Sequence, residues 1–128
     1  MIKQFVNKFY QNREKLLQRF SYKHPKNYAE IVKAVIEVVT DEEGWRGPDP
    51  NNIHEINDGD CRGTLLYVIP EKCYQPVEYW TVKVTYGSCS GCDTLMGIQE
   101  YAPEKPTPES VDDYMTLALH IVQSLKEI

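Results

Sequence analysis

The chain has 128 residues, of which 41% are hydrophobic and 26% charged, with a net charge of −5. This matches one ordinary globular domain, long enough to bury a core without disulfide staples. Its first ten residues lack the unbroken apolar core of a signal peptide, and no later stretch approaches the ~20 apolar residues of a membrane span. The expected setting is therefore the cytoplasm, where four cysteines stand as free thiols or metal ligands rather than as bridges.

Charge is unevenly distributed. From Met1 to Lys26 there are seven basic residues (Lys3, Lys8, Arg13, Lys15, Arg19, Lys23, Lys26) against Glu14. From Asp41 to Asp60 the balance inverts, with seven acids against Arg46. Such polarity suits a partner of matching charge, whereas solvated faces, or two faces neutralising each other in a homodimer, are the plainer account.

Ile2, Phe5, Val6, Phe9, Leu16, Leu17 and Phe20 recur at helical spacing, which predicts one amphipathic helix over residues 2–20. His24-Pro25 breaks the chain, and Tyr28, Ile31, Val32, Val35, Ile36 and Val39 mark one face of a second helix ending before Gly44. Residues 41–52, rich in Gly, Pro, Asp and Asn, read as a long loop. Within it Trp45 is an anchor onto the core or, with Arg46, a ligand-contacting pair. Strands follow at 53–57, 63–69 and 77–86, with Asp58-Gly59-Asp60 as a turn and residues 70–76 as a hairpin connection. Thr94-Leu95-Met96-Gly97-Ile98-Gln99 is too short to choose between helix and a fourth strand. Thr107 as N-cap, Pro108 in the first turn and the stripe Val111, Tyr114, Met115, Ala118, Ile121 and Leu125 define a last helix. The order implies a single α+β domain over residues 1–128: a three- to four-stranded antiparallel sheet packed by two N-terminal helices and one C-terminal helix.

The most singular stretch is Tyr86-Gly87-Ser88-Cys89-Ser90-Gly91-Cys92-Asp93-Thr94-Leu95. Cys89 and Cys92 have the spacing at which two thiolates meet one tetrahedral zinc ion, with Cys61, Cys73 and His54 as candidates for the other ligands; no second close pair accompanies them. Strand, Cys-x-x-Cys, then helix is also the local order of a thioredoxin-like redox motif, although too little chain follows for that fold. Nucleophilic catalysis by Cys89 would need a nearby base, and His24, His54 and His120 are scattered; His120 reads as a surface or half-buried helix residue. Phosphate-loop, dinucleotide, zinc-protease and serine-hydrolase motifs are missing. Asp58 and Asp60 lack the further acids of a calcium loop. The remaining reading makes residues 87–94 a recognition loop, in which successive backbone N–H groups and the hydroxyls of Ser88, Ser90 and Thr94 cradle an anion or a partner's backbone. A structural turn whose small residues allow the last helix to pack closely explains the same composition.

The run from Ile56 to Pro70, followed by this decapeptide, resembles a family of small uncharacterised proteins from bacteriophages and bacterial mobile elements. The likeness covers about a third of the chain, and the decapeptide is its specific part. It implies a phage accessory context, in the host cytoplasm, without naming a mechanism. In that family the position of Cys61 is often aromatic, which weakens a four-cysteine site. The expectation is a non-enzymatic accessory protein that binds a host protein or small signalling ligand through Trp45, Arg46, Tyr86, Gly87, Ser88, Ser90, Gly91, Asp93 and Thr94. The competing reading is a structural zinc site or redox pair on Cys89 and Cys92, with Cys73 and Cys61. No membrane partner is expected, and a nucleic-acid role would rest on the basic first helix.

Overall fold

The computed structural model describes residues 2–40, 47–59, 63–73, 75–86, 94–99 and 103–127. Five helices, α1 (Ile2–Gln11), α2 (Arg13–Tyr22), α3 (Tyr28–Val39), α4 (Thr94–Gln99) and α5 (Pro108–Ser124), accompany four strands. These are β1 (His54–Gly59), β2 (Gly63–Pro70), β3 (Tyr79–Tyr86) and β4 (Lys126–Glu127), joined in the antiparallel order β1-β2-β3-β4. This is the α+β arrangement that the element order implies, with the helices packed on an antiparallel sheet.

Three features differ from the sequence reading. Residues 2–20 do not form one helix: the run breaks at Asn12 into α1 and α2, so three helices precede the sheet. The cause is a long-range bond, because the Asn12 side-chain amide donates to the Val38 carbonyl at 2.9 Å and to the Lys8 carbonyl at 3.1 Å. Val38 lies in the last turn of α3, where carbonyls have no partner within the helix. Asp58 and Gly59, read as a turn, instead extend β1 and face Thr64 and Gly63. The fourth strand is Lys126–Glu127, which follows the last helix and is set beside Thr81 and Trp80 of β3, while the 94–99 segment takes the helical one of its two alternatives.

The local rules otherwise act as written. Asn27 caps α3, its Oδ1 accepting from the Glu30 amide at 3.0 Å, while Glu30 reaches back to the Lys26 amide at 2.7 Å. Thr107 caps α5 by accepting from the Ser110 amide at 3.1 Å, with Pro108 in the first turn. β-branched residues crowd α3, yet Ile31, Val32, Val35, Ile36 and Val39 are all buried, and that burial outweighs their modest helix propensity.

Period-2 alternation orients the sheet. Leu65, Tyr67 and Ile69 of β2 and Trp80, Val82 and Val84 of β3 face the helices and merge with Phe5, Phe9, Phe20 and the α3 and α5 stripes into one hydrophobic cluster. The opposite face carries exposed Ile56, Tyr79 and Lys83. Helix α5 is the hub, touching α1, α2, α3, α4 and β3. Among the described residues no helix is long and apolar enough to cross a membrane.

Candidate functional site

The described structure frames the decapeptide at both ends. On one side β3 closes at Tyr86, which faces Gly63 of β2; Gly63 in turn faces Gly59 of β1. On the other side α4 begins at Thr94, and the buried Leu95 amide donates to the Tyr28 hydroxyl at 3.0 Å. That amide belongs to the first turn of a six-residue helix, where N–H groups have no intrahelical acceptor. Tyr28 is the first residue of α3 and is itself buried.

A second buried tyrosine lies near enough to Tyr28 to interact with it electrostatically. Tyr67 is fully buried and its hydroxyl donates to Glu55 Oε1 at 2.8 Å across the β1–β2 pair. Burial first, and then the neighbouring carboxylate, raise the Tyr67 phenol well above the ordinary tyrosine value, so it stays a neutral donor.

The far end of α4 is held by a polar clasp. The Gln99 side chain donates to the Pro25 carbonyl at 2.6 Å and also bonds the hydroxyl of Tyr114, a fully buried α5 residue. His24 Nδ1 lies 2.6 Å from the same hydroxyl, and Nε2 lies 2.8 Å from the Pro103 carbonyl. A carbonyl only accepts, so Nε2 carries the proton; in the neutral ring Nδ1 then accepts from Tyr114. Burial is the main cause that raises the Tyr114 phenol, helped by Asp113 and opposed by the Gln99 bond.

The expected site residues fare as follows. Trp45, Arg46, Gly87, Ser88, Cys89, Ser90, Gly91, Cys92, Asp93 and Cys61 lie outside the described residues, and Tyr86 and Thr94 are placed only as the ends of β3 and α4. Cys73 is described: its thiol donates to Glu71 Oε1 at 3.0 Å, beyond the Pro70 end of β2. Gly59, Gly63 and Tyr86 share the opposite end of the sheet. Seven residue steps along β2 separate the two ends, about 23 Å at ~3.3 Å per residue. The Cys73 connection therefore does not start from the same place as the decapeptide, whereas residues flanking Cys61 do.

The three histidines stand on separate elements: His24 between α2 and α3, His54 on β1 and His120, exposed, on α5. Among the described residues no group of three or more His, Cys, Asp or Glu is arranged to hold a metal ion. Glu71, only 5% exposed, is a buried carboxylate that sequence reasoning missed. Its place follows from residues 47–49 closing over the β2 end, with Asp49 N on the Pro70 carbonyl and Lys72 N on the Gly47 carbonyl, both at 2.9 Å. The Tyr28 anchor and the His24–Tyr114 pair were also missed, since each spans more than sixty residues and leaves no local pattern.

One groove stands out by charge. Between the end of α2 and the start of α3, a groove of about 350 Å3 is lined by Arg19, Lys23, Lys33 and one acid, Glu30, by the buried Phe20, Pro25 and Ala34, and by the exposed Tyr22. Arg19 pairs with Glu37 at 2.9 Å. A scan against protein-family models, a search of curated proteins and a search of solved structures each gave no match.

Proposed function

We propose that this chain is a non-enzymatic accessory protein of bacteriophage type whose decapeptide segment binds a host protein or a small signalling ligand. The observation that carries the reading is the double anchor: β3 ends in register with Gly63, and the Leu95 amide is fastened to the Tyr28 hydroxyl. Functional loops are characteristically short polar segments set on such a rigid frame, and Ser88, Ser90 and Thr94 bring the hydroxyls that recognition needs. The test compares wild-type protein with a Ser88→Ala, Ser90→Ala, Thr94→Ala variant of equal thermal stability. Each is used to capture partners from host extract, and any partner identified is then titrated in purified form. Selective loss of one partner by the variant supports the reading; identical capture by both removes it.

The zinc reading keeps one support. Gly59, Gly63 and Tyr86 lie in register, so the segment holding Cys61 and the segment holding Cys89 and Cys92 leave from one end of the sheet. A zinc site would then take Cys61 in preference to Cys73. Metal content of unchelated protein, with thiol titration under native conditions, decides it: one zinc per chain with three protected thiols selects this reading, and metal-free protein with reactive thiols rejects it.

A further inference from the structure

The charge separation becomes a site only where α2 meets α3. Residues 1–40 carry eight Lys or Arg against three Asp or Glu, while residues 41–128 carry six against sixteen. Within the basic half, Lys15, Arg19 and Tyr22 follow at i, i+4 and i+7 along α2 and so share one helix face. Arg19 and Tyr22 of that face line the groove together with Lys23 and with Lys33 of α3. Glu30, the groove's acid, is turned to the Lys26 amide, and Glu37 is taken by Arg19. Among the described residues neither Lys23 nor Lys33 has an ion-pair partner, so two exposed ammonium groups outnumber the Glu30 carboxylate in one concavity.

Tyr22 adds what charge alone lacks. It is 84% exposed while lining the groove, so its ring face is open to a stacking partner. A cationic track with an aromatic face beside it is the arrangement that holds single strands, the phosphates on the cations and a base stacked on the ring. An acidic peptide would use the lysines and leave Tyr22 without a purpose.

We propose that the α2–α3 groove is a binding site for single-stranded nucleic acid, with phosphates between Lys23 and Lys33 and a base stacked on Tyr22. This site is separate from the decapeptide, and its success or failure leaves the loop reading where it stands. The probe is a fluorescein-labelled oligothymidylate of about 12 nucleotides, followed by anisotropy across a salt series. Wild-type protein should bind saturably at low salt, with log affinity falling against log salt at a slope of about −1.4 for the two phosphate contacts at Lys23 and Lys33. Lys23→Ala with Lys33→Ala should weaken binding about tenfold or more and flatten the slope by about 1.4. Tyr22→Ala should weaken binding by about 5- to 150-fold with the slope unchanged. All three positions are exposed, and Lys83→Ala with Lys105→Ala supplies a charge-matched control that should bind as wild type. The proposal is overturned by the absence of saturable binding, or by equal loss in the control variant. It is also overturned if polyglutamate displaces the oligonucleotide and Tyr22→Ala has no effect, which would make the groove a site for acidic peptide.

Discussion

Replacing Tyr28 by Phe removes one oxygen from a buried contact and tests the anchor on which the functional reading depends. The Tyr28 hydroxyl is 3.0 Å from the Leu95 amide, and Leu95 is buried, so no water replaces the lost acceptor. A buried donor left without a partner costs about 1–3 kcal/mol, more than the net worth of an ordinary hydrogen bond. At about 2.1 cal/mol/K per residue, the unfolding entropy of a chain this long is about 0.27 kcal/mol/K. The expected fall in Tm is therefore about 4–11 °C. A six-residue helix does not hold itself in water, so the loss should also appear locally as early opening of α4. Thermal unfolding followed by circular dichroism reads the first effect, and amide exchange at Leu95, accelerated by about one to two powers of ten, reads the second. A Tm within about 1.5 °C of wild type, with Leu95 exchange unchanged, would refute the reasoning and detach α4 from α3.

Three further outcomes follow from single groups. Tyr67 and Tyr114 both have phenols raised above the unfolded value near 10, so above that pH the unfolded chain loses protons that the folded chain keeps. Stability is then fully present below pH ~10 and falls as pH rises, by up to about 1.4 kcal/mol per pH unit for Tyr67; urea unfolding between pH 9 and 12 should show Tyr67→Phe with a shallower alkaline limb than wild type. Asn12→Ala should lower Tm by about 2–6 °C by leaving the Val38 carbonyl without its donor, and an unchanged Tm would mean the helix break has another cause. Thr107→Ala should cost about 1 kcal/mol through loss of the α5 cap, measured as a lower urea midpoint with the same slope.

What the sequence made legible is what depends on neighbours along the chain. The alternation from Tyr79 to Tyr86, the stripe on α3 and the Thr107-Pro108 start of α5 are local rules, and the structure obeys each of them. The break at Asn12 is a different matter, since its apolar spacing reads as continuous helix and the competing acceptor, Val38, lies 26 residues away. Residues 94–99 hold too few positions to distinguish two periods, and the hydroxyl that fastens this helix comes from 67 residues earlier. Lys33 likewise gives no sign in the sequence that it will line one groove with Lys23, because helix pairing, not spacing, brings them together.

The same contacts make the two candidate sites neighbours in a mechanical sense. Pro25 lines the groove, and its carbonyl accepts the Gln99 amide that secures the last residue of α4. His24, adjoining Pro25 and lining the same groove, holds Tyr114 and the Pro103 carbonyl, so the α2–α3 connection, α4, α5 and the chain leading into α5 meet at one joint. Tyr28, three residues beyond Pro25, fastens the start of α4. A rigid joint of this kind accounts for the six-residue α4, since a helix of that length does not persist alone. It also sets a limit on mutational dissection: a change at Pro25, His24 or Gln99 disturbs groove and decapeptide anchor together. Lys23, Lys33 and Tyr22 on one side, and Ser88, Ser90 and Thr94 on the other, are therefore the positions at which the two sites can be separated.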